Sequence, residues 1–305
     1  MLPIHFAPLQ GYTDFVYRNF HEKIFGGVDY YYTPFIRLEQ GELRKKDLKD
    51  ILPENDLTKN LVPQVIVKDI YELDTLVSVI SGMGYGHIDI NMGCPFPMQV
   101  KKGRGAGLLP KTDLVREICD FINAKTNLDF SIKMRLGSEN ADECMQLLPV
   151  LNSTRLKHIA VHPRIAKQQY NGELNIDQFQ AFLDASRNPV VFNGELKSVD
   201  DIEKISKSYP SLAGIMIGRG LLTRPSLASE YKNSNLLNDD ELLESVMKLH
   251  DGVFAHYAES LQGDSHLLMK MKTFWEYLEE VIGHKRYKLI KKAVNVAKYN
   301  AALQL

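Results

Sequence analysis

The chain of 305 residues lacks several features that would place it in a specialised class of protein. It has no apolar run of membrane-spanning length, and its first residues lack the basic region, apolar core and cleavage site of a secretory leader. We therefore expect a cytoplasmic protein with no membrane partner. The 44% hydrophobic and 25% charged composition is ordinary for a globular protein, and the length suffices for a large barrel with a smaller appendage.

Cysteine is scarce, and its spacing excludes two common uses of the residue. The three cysteines, Cys94, Cys119 and Cys144, form no Cys-x-x-Cys pair, so neither a zinc site nor a disulfide framework is predicted. Cys119 and Cys144 lie in segments with helical periodicity, and we expect both to pack in the core. No metal is expected.

The sequence also lacks a Gly-x-Gly-x-x-Gly run that follows a strand and opens a helix, so a resident dinucleotide is not predicted. The formal net charge of −1 argues against a protein that coats nucleic acid generally. Charge is nevertheless uneven, because residues 265–305 carry eight Lys/Arg and only three Asp/Glu. This basic stripe fits a local contact with an anionic backbone and fits an ordinary solvated helix face equally well.

Short apolar runs alternate with helix-period segments as far as about residue 220. Eight strands are predicted, at Ile4–Ala7, Val28–Thr33, Val62–Val67, His87–Asn91, Phe130–Met134, His158–His162, Val190–Asn193 and Gly214–Gly218. Crossover helices are predicted at Ile70–Ser81, Thr112–Lys125, Asp142–Asn152 and Ser198–Ser208. This α/β pattern favours a (β/α)8 TIM barrel over an open doubly wound sheet, because distinctive polar residues recur at the C-terminal ends of the runs.

After about Leu222 the strand pattern stops. Amphipathic helices are predicted at Asp239–Leu261, Leu267–Val281 and Tyr287–Leu303. We therefore divide the chain into a catalytic barrel, residues 1–230, and a C-terminal all-helical domain, residues 231–305. The second domain is expected to bind RNA.

The most informative segment is Asn91-Met-Gly-Cys-Pro95, which closes a predicted strand and precedes the glycine-rich run Gly103–Leu109. Gly93 and Pro95 permit no regular element, so the thiol of Cys94 is presented rather than packed. A thiol with a pKa near its usual value of about 8.5 is protonated at neutral pH and suits a proton donor. A satisfied loop cysteine is the alternative interpretation.

Other residues at the predicted strand ends suit a flavin. Gly194, Gly218 and Arg219 follow the seventh and eighth strands, where barrels commonly bind phosphate. Lys133 is a candidate to stabilise negative charge on a reduced flavin, and Gln64 to bond the edge of its pyrimidine ring. The strand-end set comprises Pro8, Leu9, Gln10, Arg37, Gln64, Asn91, Cys94, Lys133, His162, Arg164, Asn193, Gly194, Glu195, Gly218 and Arg219.

The chain resembles the bacterial tRNA-dihydrouridine synthases over nearly its whole length, most specifically in the segment Asn91–Pro95. The resemblance implies bound FMN, NADPH as reductant and a uridine of tRNA as substrate. Hydride would pass from reduced FMN to C6 of the uracil, and Cys94 would give the proton to C5. It further implies a base contact at Asn91 and FMN contacts at Pro8, Gln64, Lys133, His162, Asn193 and Arg219, with Leu9 in place of the usual Met beside the flavin.

Within that family, Thr33-Pro-Phe-Ile-Arg37 and Tyr170 resemble the branch called dihydrouridine synthase C, which modifies position 16 of the D-loop. This resemblance implies substrate contacts at Arg37, Arg164 and Tyr170 on the barrel. On the helical domain it implies tRNA contacts at Lys270, Lys272 and Tyr277.

Three alternatives stay open. One is the same reaction on ribosomal RNA, and another is an FMN-dependent dehydrogenase of a free small molecule such as dihydroorotate, which would not need the basic stripe. The third is an RNA-binding module with a vestigial flavin site, which would have no reason to keep Asn91, Cys94, Lys133, His162 and Arg219 together. We expect a monomer, and the sequence does not distinguish NADPH from NADH.

Overall fold

The computed structural model describes residues 1–304 and has a parallel β-sheet at its centre. The strands of this sheet are β1 (Ile4–Phe6), β2 (Tyr30–Tyr32), β3 (Leu61–Val62), β4 (Gln64–Val65), β5 (His87–Met92), β6 (Asp129–Gly137), β7 (His158–Ile165), β8 (Val190–Phe192) and β9 (Gly214–Ile217). They pair side by side in the order β3-β2-β1-β9-β8-β7-β6-β5-β4. Neighbouring strands are thus mostly consecutive in the chain, as in a wound barrel.

The two edges of the sheet meet at Pro63, which separates β3 from β4. β3 pairs with β2 and β4 pairs with β5, so one interrupted strand joins both edges. Proline has no amide hydrogen and breaks the strand ladder at this point. With β3 and β4 counted as one strand, the sheet has the eight strands of the predicted (β/α)8 barrel, and that prediction is confirmed.

Helices cover the outside of the barrel. The longer ones are α1 (Phe15–Ile24), α2 (Ile70–Gly82), α3 (Thr112–Ala124), α4 (Glu143–Asn152), α5 (Ile176–Ala185) and α6 (Val199–Ser208). Short helices lie at Lys45–Lys49, Pro97–Lys101, Arg219–Thr223 and Leu227–Asn233, and 3-10 turns lie at Pro53–Asn55, Gly105–Leu108 and Ala166–Gln168. A two-stranded hairpin pairs Leu38–Glu39 with Glu42–Leu43. The helices of residues 1–304 include none long and apolar enough to cross a membrane.

The predicted strands and crossover helices correspond to observed ones, although three strands run beyond their predicted C-terminal ends, β5 by a single residue. β6 continues to Gly137 and β7 to Ile165. The extension places Arg135 and Arg164 on the strands themselves. Cys119 and Cys144 are buried on α3 and α4, which confirms that they pack in the core.

The C-terminal region is all helical, as predicted. The prediction of continuous helices at Leu267–Val281 and Tyr287–Leu303 is wrong, because each segment is interrupted. The observed helices are α7 (Asp239–Ser260), α8 (Asp264–Phe274), the short Glu279–Ile282, α9 (His284–Lys292) and α10 (Val296–Leu303), with a 3-10 turn at Trp275–Tyr277. Gly283, at a φ of 81°, ends the short helix and Asn295 caps α10 by accepting from the backbone of Lys298.

The break after α8 carries Trp275 into the core of the helical region, where it is fully buried. Its indole Nε1 donates to the hydroxyl of Tyr299 over 2.8 Å, and the His250 ring stacks against it. Trp275 is therefore a packing residue and is not available to stack on a base.

The helical region packs directly on the barrel. α7 lies against α1 so closely that a Cβ on Gly252 would stand 2.4 Å from the ring of Phe20. The carboxylate of Asp14, which caps α1, accepts from Lys270 over 2.6 Å and from the hydroxyl of Tyr257 over 2.5 Å. These contacts tie the two regions together.

Replacing Tyr299 by Phe should destabilise the protein. The change leaves the buried indole N–H of Trp275 without its acceptor, at a cost of about 1–3 kcal/mol in the free energy of unfolding. Urea unfolding followed by tryptophan fluorescence measures this cost, with Tyr287→Phe at a half-buried position of α9 as the control for loss of a phenol hydroxyl. Equal stability of the two variants would contradict the assigned role of the Tyr299 hydroxyl.

Candidate active site

A cavity of about 180 Å³ opens at the carboxyl ends of the barrel strands. Several residues singled out from the sequence line it together, namely Pro8, Leu9, Gln10, Asn91, Cys94, Lys133, His162, Tyr170, Asn193, Gly194, Glu195, Gly218 and Arg219. They come from six different strands or the loops that follow them. Parallel strands of a barrel end at one face, so residues far apart in sequence converge here.

Other predicted site residues lie outside this lining. Gln64 is fully buried beneath the cavity and hydrogen-bonds to Asp89 and Asn91. Arg164 is also buried, and its guanidinium donates to the carbonyl of Gly172 and to Glu195. The predicted contacts of Gln64 with the flavin and of Arg164 with the substrate therefore stay predictions.

The remaining predicted RNA contacts are also engaged within the protein. Arg37 lies on the loop after β2, where its guanidinium is 3.9 Å from Glu39. The amine of Lys270 donates to Asp14 and that of Lys272 to the carbonyl of Ala293 over 2.7 Å. Tyr277 packs edge-on against Tyr12 in a neighbouring cleft.

The cavity also contains residues that the sequence interpretation missed, of which Arg135 is the most consequential. Arg135 follows Lys133 by two positions on β6, so both side chains point to the same face of the strand. This two-residue period was the signal that could have found it. The other additions are Ala7, Phe35, Gly93, Pro95, Leu196, Lys197 and Gly220.

Two side chains of the barrel hold the Cys94 turn by hydrogen bonds to its backbone. The side-chain oxygen of Asn91 accepts from the amides of Gly93 over 3.0 Å and Cys94 over 2.8 Å. The guanidinium Nε of Arg135 donates to the carbonyl of Gly93, also over 3.0 Å. The half-buried Cys94 is presented to the cavity because the side chain of Asn91, one residue before the end of β5, accepts hydrogen bonds from the amides that follow the strand.

The glycine-rich run closes the other side of the same turn. The amide of Ala106 donates to the carbonyl of Cys94 over 3.1 Å. Gly105 has a φ of +57°, and a Cβ on it would stand 2.9 Å from the Cβ of Cys94. Only glycine permits both the backbone conformation and this close approach. The spacing of the two motifs thus has a physical cause, because the second one packs on the first.

Burial sets the protonation state of the Cys94 thiol. Desolvation raises its pKa above the ordinary value, and the positive charges of Lys133, Arg135 and Arg37 offset only part of that effect. The thiol is therefore protonated at neutral pH. It is a candidate proton donor rather than a nucleophilic thiolate.

Lys133 and His162 bring two further functional groups to the cavity. Burial and the nearby Arg135 lower the pKa of Lys133 to about 8, so its amine is partly deprotonated just above neutral pH. His162 has its pKa well below the usual value, mainly from burial, and its Nδ1 donates to the carbonyl of Asn193 over 2.6 Å. The Nε2 of this neutral ring is a buried acceptor without a hydrogen-bond partner among residues 1–304.

The opposite rim is built around Glu195, whose Oε1 accepts from Arg219 over 2.8 Å and from Arg164 over 3.1 Å. The ring of Tyr170, 49% exposed, lies between the guanidinium groups of Arg219 and Arg135 at 4.7 and 5.3 Å. Positive charge is therefore concentrated on this side of the cavity, which suits an anionic group. Among residues 1–304, His, Cys, Asp and Glu side chains nowhere converge in threes to hold a metal ion.

Comparison with known proteins identifies similar chains. Residues 5–304 match the family model described as Dihydrouridine synthase (Dus). A protein of Pseudomonas putida named "tRNA-dihydrouridine(16) synthase" is 30% identical over 236 residues, which cover 74% of this chain and 72% of that relative. A "Probable tRNA-dihydrouridine synthase" of Helicobacter pylori is 27% identical over 281 residues, covering 89% and 81%.

A more distant organism contains a similar protein. In Saccharomyces cerevisiae, a protein named tRNA-dihydrouridine(20a/20b) synthase, with NAD(P)+ in its name, is 28% identical over 231 residues. The aligned part covers 74% of this chain and 61% of that relative. The two numbered relatives thus carry different tRNA positions in their names.

Alkylation of Cys94 by iodoacetamide should be slow at pH 7 and should accelerate up to and beyond pH 9, because the reagent needs the thiolate and the pKa is raised. Mass spectrometry of the peptide that contains Cys94 follows the rate. Lys133→Met should slow the reaction further, because the positive charge of Lys133 stabilises the thiolate and this variant lacks it. A rate that reaches its plateau below pH 8 would contradict the raised pKa.

Proposed function

This chain belongs to the dihydrouridine synthase family, and on that premise we propose that it is a flavin-dependent oxidoreductase that reduces a uridine of tRNA to dihydrouridine. The observation that carries the proposal is the position of the Cys94 thiol at the strand ends, in one cavity with Lys133 and His162. The names of the relatives support tRNA as the substrate.

The side chains of the cavity fit flavin mononucleotide. The unpartnered Nε2 of His162 accepts a hydrogen bond, as a ribityl hydroxyl would supply. Arg219 and the glycines at 194 and 218 suit a phosphate, and Lys133 supplies positive charge for an electron-rich ring. Pro8, Leu9, Gln10, Asn193 and Glu195 complete the proposed contacts, and Gln64 would contribute from below. When bound, the flavin supplies the hydride for C6 of the uracil.

The protein itself supplies the proton. Reduction of the C5–C6 double bond leaves C5 in need of a proton once C6 has received hydride, and Cys94 is the acid in the cavity that can give it. Burial keeps the thiol protonated at neutral pH, so that its proton is available when C5 needs it. Asn91, whose Nδ2 retains one hydrogen beyond its bond to Gln64, is the proposed contact to the base.

The target uridine belongs to the D-loop of tRNA in our proposal, with position 16 favoured by the resemblance of Arg37 and Tyr170 to the branch that modifies it. Tyr170 supports this proposal because it stands half exposed at the mouth of the cavity. The base must leave its stack to reach Cys94. We therefore propose a second RNA-binding surface outside the cavity. Arg37, Arg164 and Tyr277 remain proposed contacts near this mouth.

The surface that binds the RNA backbone is best assigned to α9. Its lysines at 285, 288, 291 and 292 are exposed, and none of them belongs to an ion pair within residues 1–304. The amines of Lys270 and Lys272 are instead satisfied inside the protein. A tRNA contact by these two would have to break those bonds, so we propose α9 as the main phosphate-binding surface and the pair as secondary.

NADPH is the proposed source of electrons, and a monomer in the cytoplasm is the proposed working form. The NAD(P)+ in the name of the yeast relative supports a nicotinamide reductant. The cavity is open at one face, which suits reductant and RNA binding to the flavin in turn.

Cys94→Ala should keep flavin content and tRNA affinity but lose at least about 100-fold in the rate of dihydrouridine formation, since only the proton donor is removed. Single-turnover reduction of an unmodified tRNA transcript, with dihydrouridine measured by mass spectrometry, tests this. Cys119→Ala is the matched control because that thiol is buried in the core. Undiminished turnover by Cys94→Ala would refute the role. If the wild-type enzyme reduced uridine only in ribosomal RNA, the substrate would be ribosomal RNA and not tRNA.

Lys288→Glu combined with Lys291→Glu should weaken tRNA binding and reduce the slope of affinity against salt by about two, one for each lost phosphate contact. Filter binding between 50 and 200 mM salt measures both quantities. Lys204→Glu with Lys207→Glu on α6 of the barrel is the matched charge reversal. Equal losses in the two double variants would mean that α9 has no special contact with RNA.

A further inference from the structure

Five polar side chains form an unbroken series of hydrogen bonds from the floor of the barrel to the Cys94 turn. His87 Nε2 lies 3.0 Å from the hydroxyl of Ser131, which donates to Asp89 Oδ1 over 2.5 Å. Gln64 Nε2 donates to Asp89 Oδ2 over 2.7 Å, and Asn91 Nδ2 donates to Gln64 Oε1 over 2.8 Å. The Asn91 oxygen then receives the amides of the turn.

The direction of these bonds is determined from both ends. Backbone amides can only donate, so Asn91 must present its oxygen to the turn and its nitrogen to Gln64. An ionised carboxylate can only accept, so Gln64 must present its nitrogen to Asp89 and its oxygen to Asn91. Both ends therefore demand the same orientation of the two carboxamides, and neither carboxamide can flip without losing a buried hydrogen bond.

We propose that Asp89 and Gln64 are positioning residues that, through this directed series of hydrogen bonds, fix the carboxamide of Asn91 and so the place of the Cys94 thiol. The inference rests on the proposed function, in which that thiol gives the proton to C5. Neither residue lines the cavity, and both are completely buried, so they act through Asn91. The position of the Cys94 thiol thus depends on residues that do not touch the reacting atoms.

The surroundings of Asp89 keep it ionised at working pH. Burial raises its pKa to about 6, against the hydrogen bonds from Ser131 and Gln64 and the charge of Lys133. Lys133 on β6 and Tyr32 on β2 face it, His87 reaches it through Ser131, and His5 and His158 lie beyond Tyr32. Burial lowers the pKa of these three histidines to well below neutrality, so Lys133 is the neighbour that titrates between pH 6.5 and 8.5.

Gln64→Glu gives the most specific test, because a carboxyl can replace the carboxamide only when it is protonated. The neutral acid donates its O–H to Asp89 and accepts from Asn91, whereas the ionised form repels Asp89 and breaks the series. We expect its single-turnover rate on unmodified tRNA, divided by that of wild type at the same pH, to be about tenfold below unity at pH 8.5. The ratio should rise towards unity at pH 6.5.

Gln64→Met removes both hydrogen bonds while nearly keeping the side-chain volume. Its single-turnover rate should fall by about 10- to 100-fold at every pH, since a small displacement of a catalytic group has an effect of that size. Tyr32→Phe is the matched control, because it removes a buried barrel hydroxyl that bonds His5 and His158 outside the series. Flavin content and the rate of flavin reduction by NADPH are measured in each holoenzyme, and the rates of uridine reduction are compared per bound flavin, because Gln64 is also a proposed flavin contact.

A second readout needs no RNA. Iodoacetamide alkylation of Cys94 at pH 9 should be faster in the uncharged variant Gln64→Met than in wild type and Tyr32→Phe, because the turn is less firmly held. If wild type forms no dihydrouridine in any RNA while this difference persists, the proposed reaction fails and the positioning of Cys94 stands. If both Gln64 variants match wild type in the rate of uridine reduction, and Gln64→Met also matches it in alkylation, the positioning role is overturned. Should Gln64→Met not fold, the pH profile of Gln64→Glu decides.

Discussion

The hydrogen bonds from the amides of Gly93 and Cys94 to the side chain of Asn91 are the constraint on which the site depends. They bend the chain sharply at the end of β5, so that a cysteine faces the cavity where a strand would otherwise pass into a helix. Gly105 packs on the far side of this turn. The thiol is therefore held between two rigid supports, as an acid must be if it is to meet one carbon atom of a bound base.

The interior of the barrel beneath the cavity is partly polar. Tyr32 hydrogen-bonds to His5 and His158, and Asp89 accepts from Ser131 and Gln64, so these buried groups have partners. Gly214 leaves room for His5, since a Cβ there would stand 2.8 Å from that ring. Replacing such groups singly would leave buried partners unsatisfied, which is costly in a low-dielectric interior.

Much of this arrangement could be predicted from the sequence, and the reasons for the rest are physical. Alternating apolar runs predicted the barrel, and the glycines around Cys94 marked the turn, because both follow from local backbone preference. Arg135 was missed although its two-residue spacing from Lys133 was visible. The internal partners of Gln64, Arg164 and Lys270 depend on contacts between distant segments, which periodicity cannot register. The break at Trp275 likewise reflects tertiary packing against Tyr299.

A map of dihydrouridine in the total tRNA of the host, made before and after deletion of the gene, tests whether the enzyme acts on tRNA. Dihydrouridine should disappear at one D-loop position and return when the wild-type gene is restored. A map unchanged by the deletion would contradict tRNA as the substrate, and an unchanged map of ribosomal RNA as well would contradict the reaction itself.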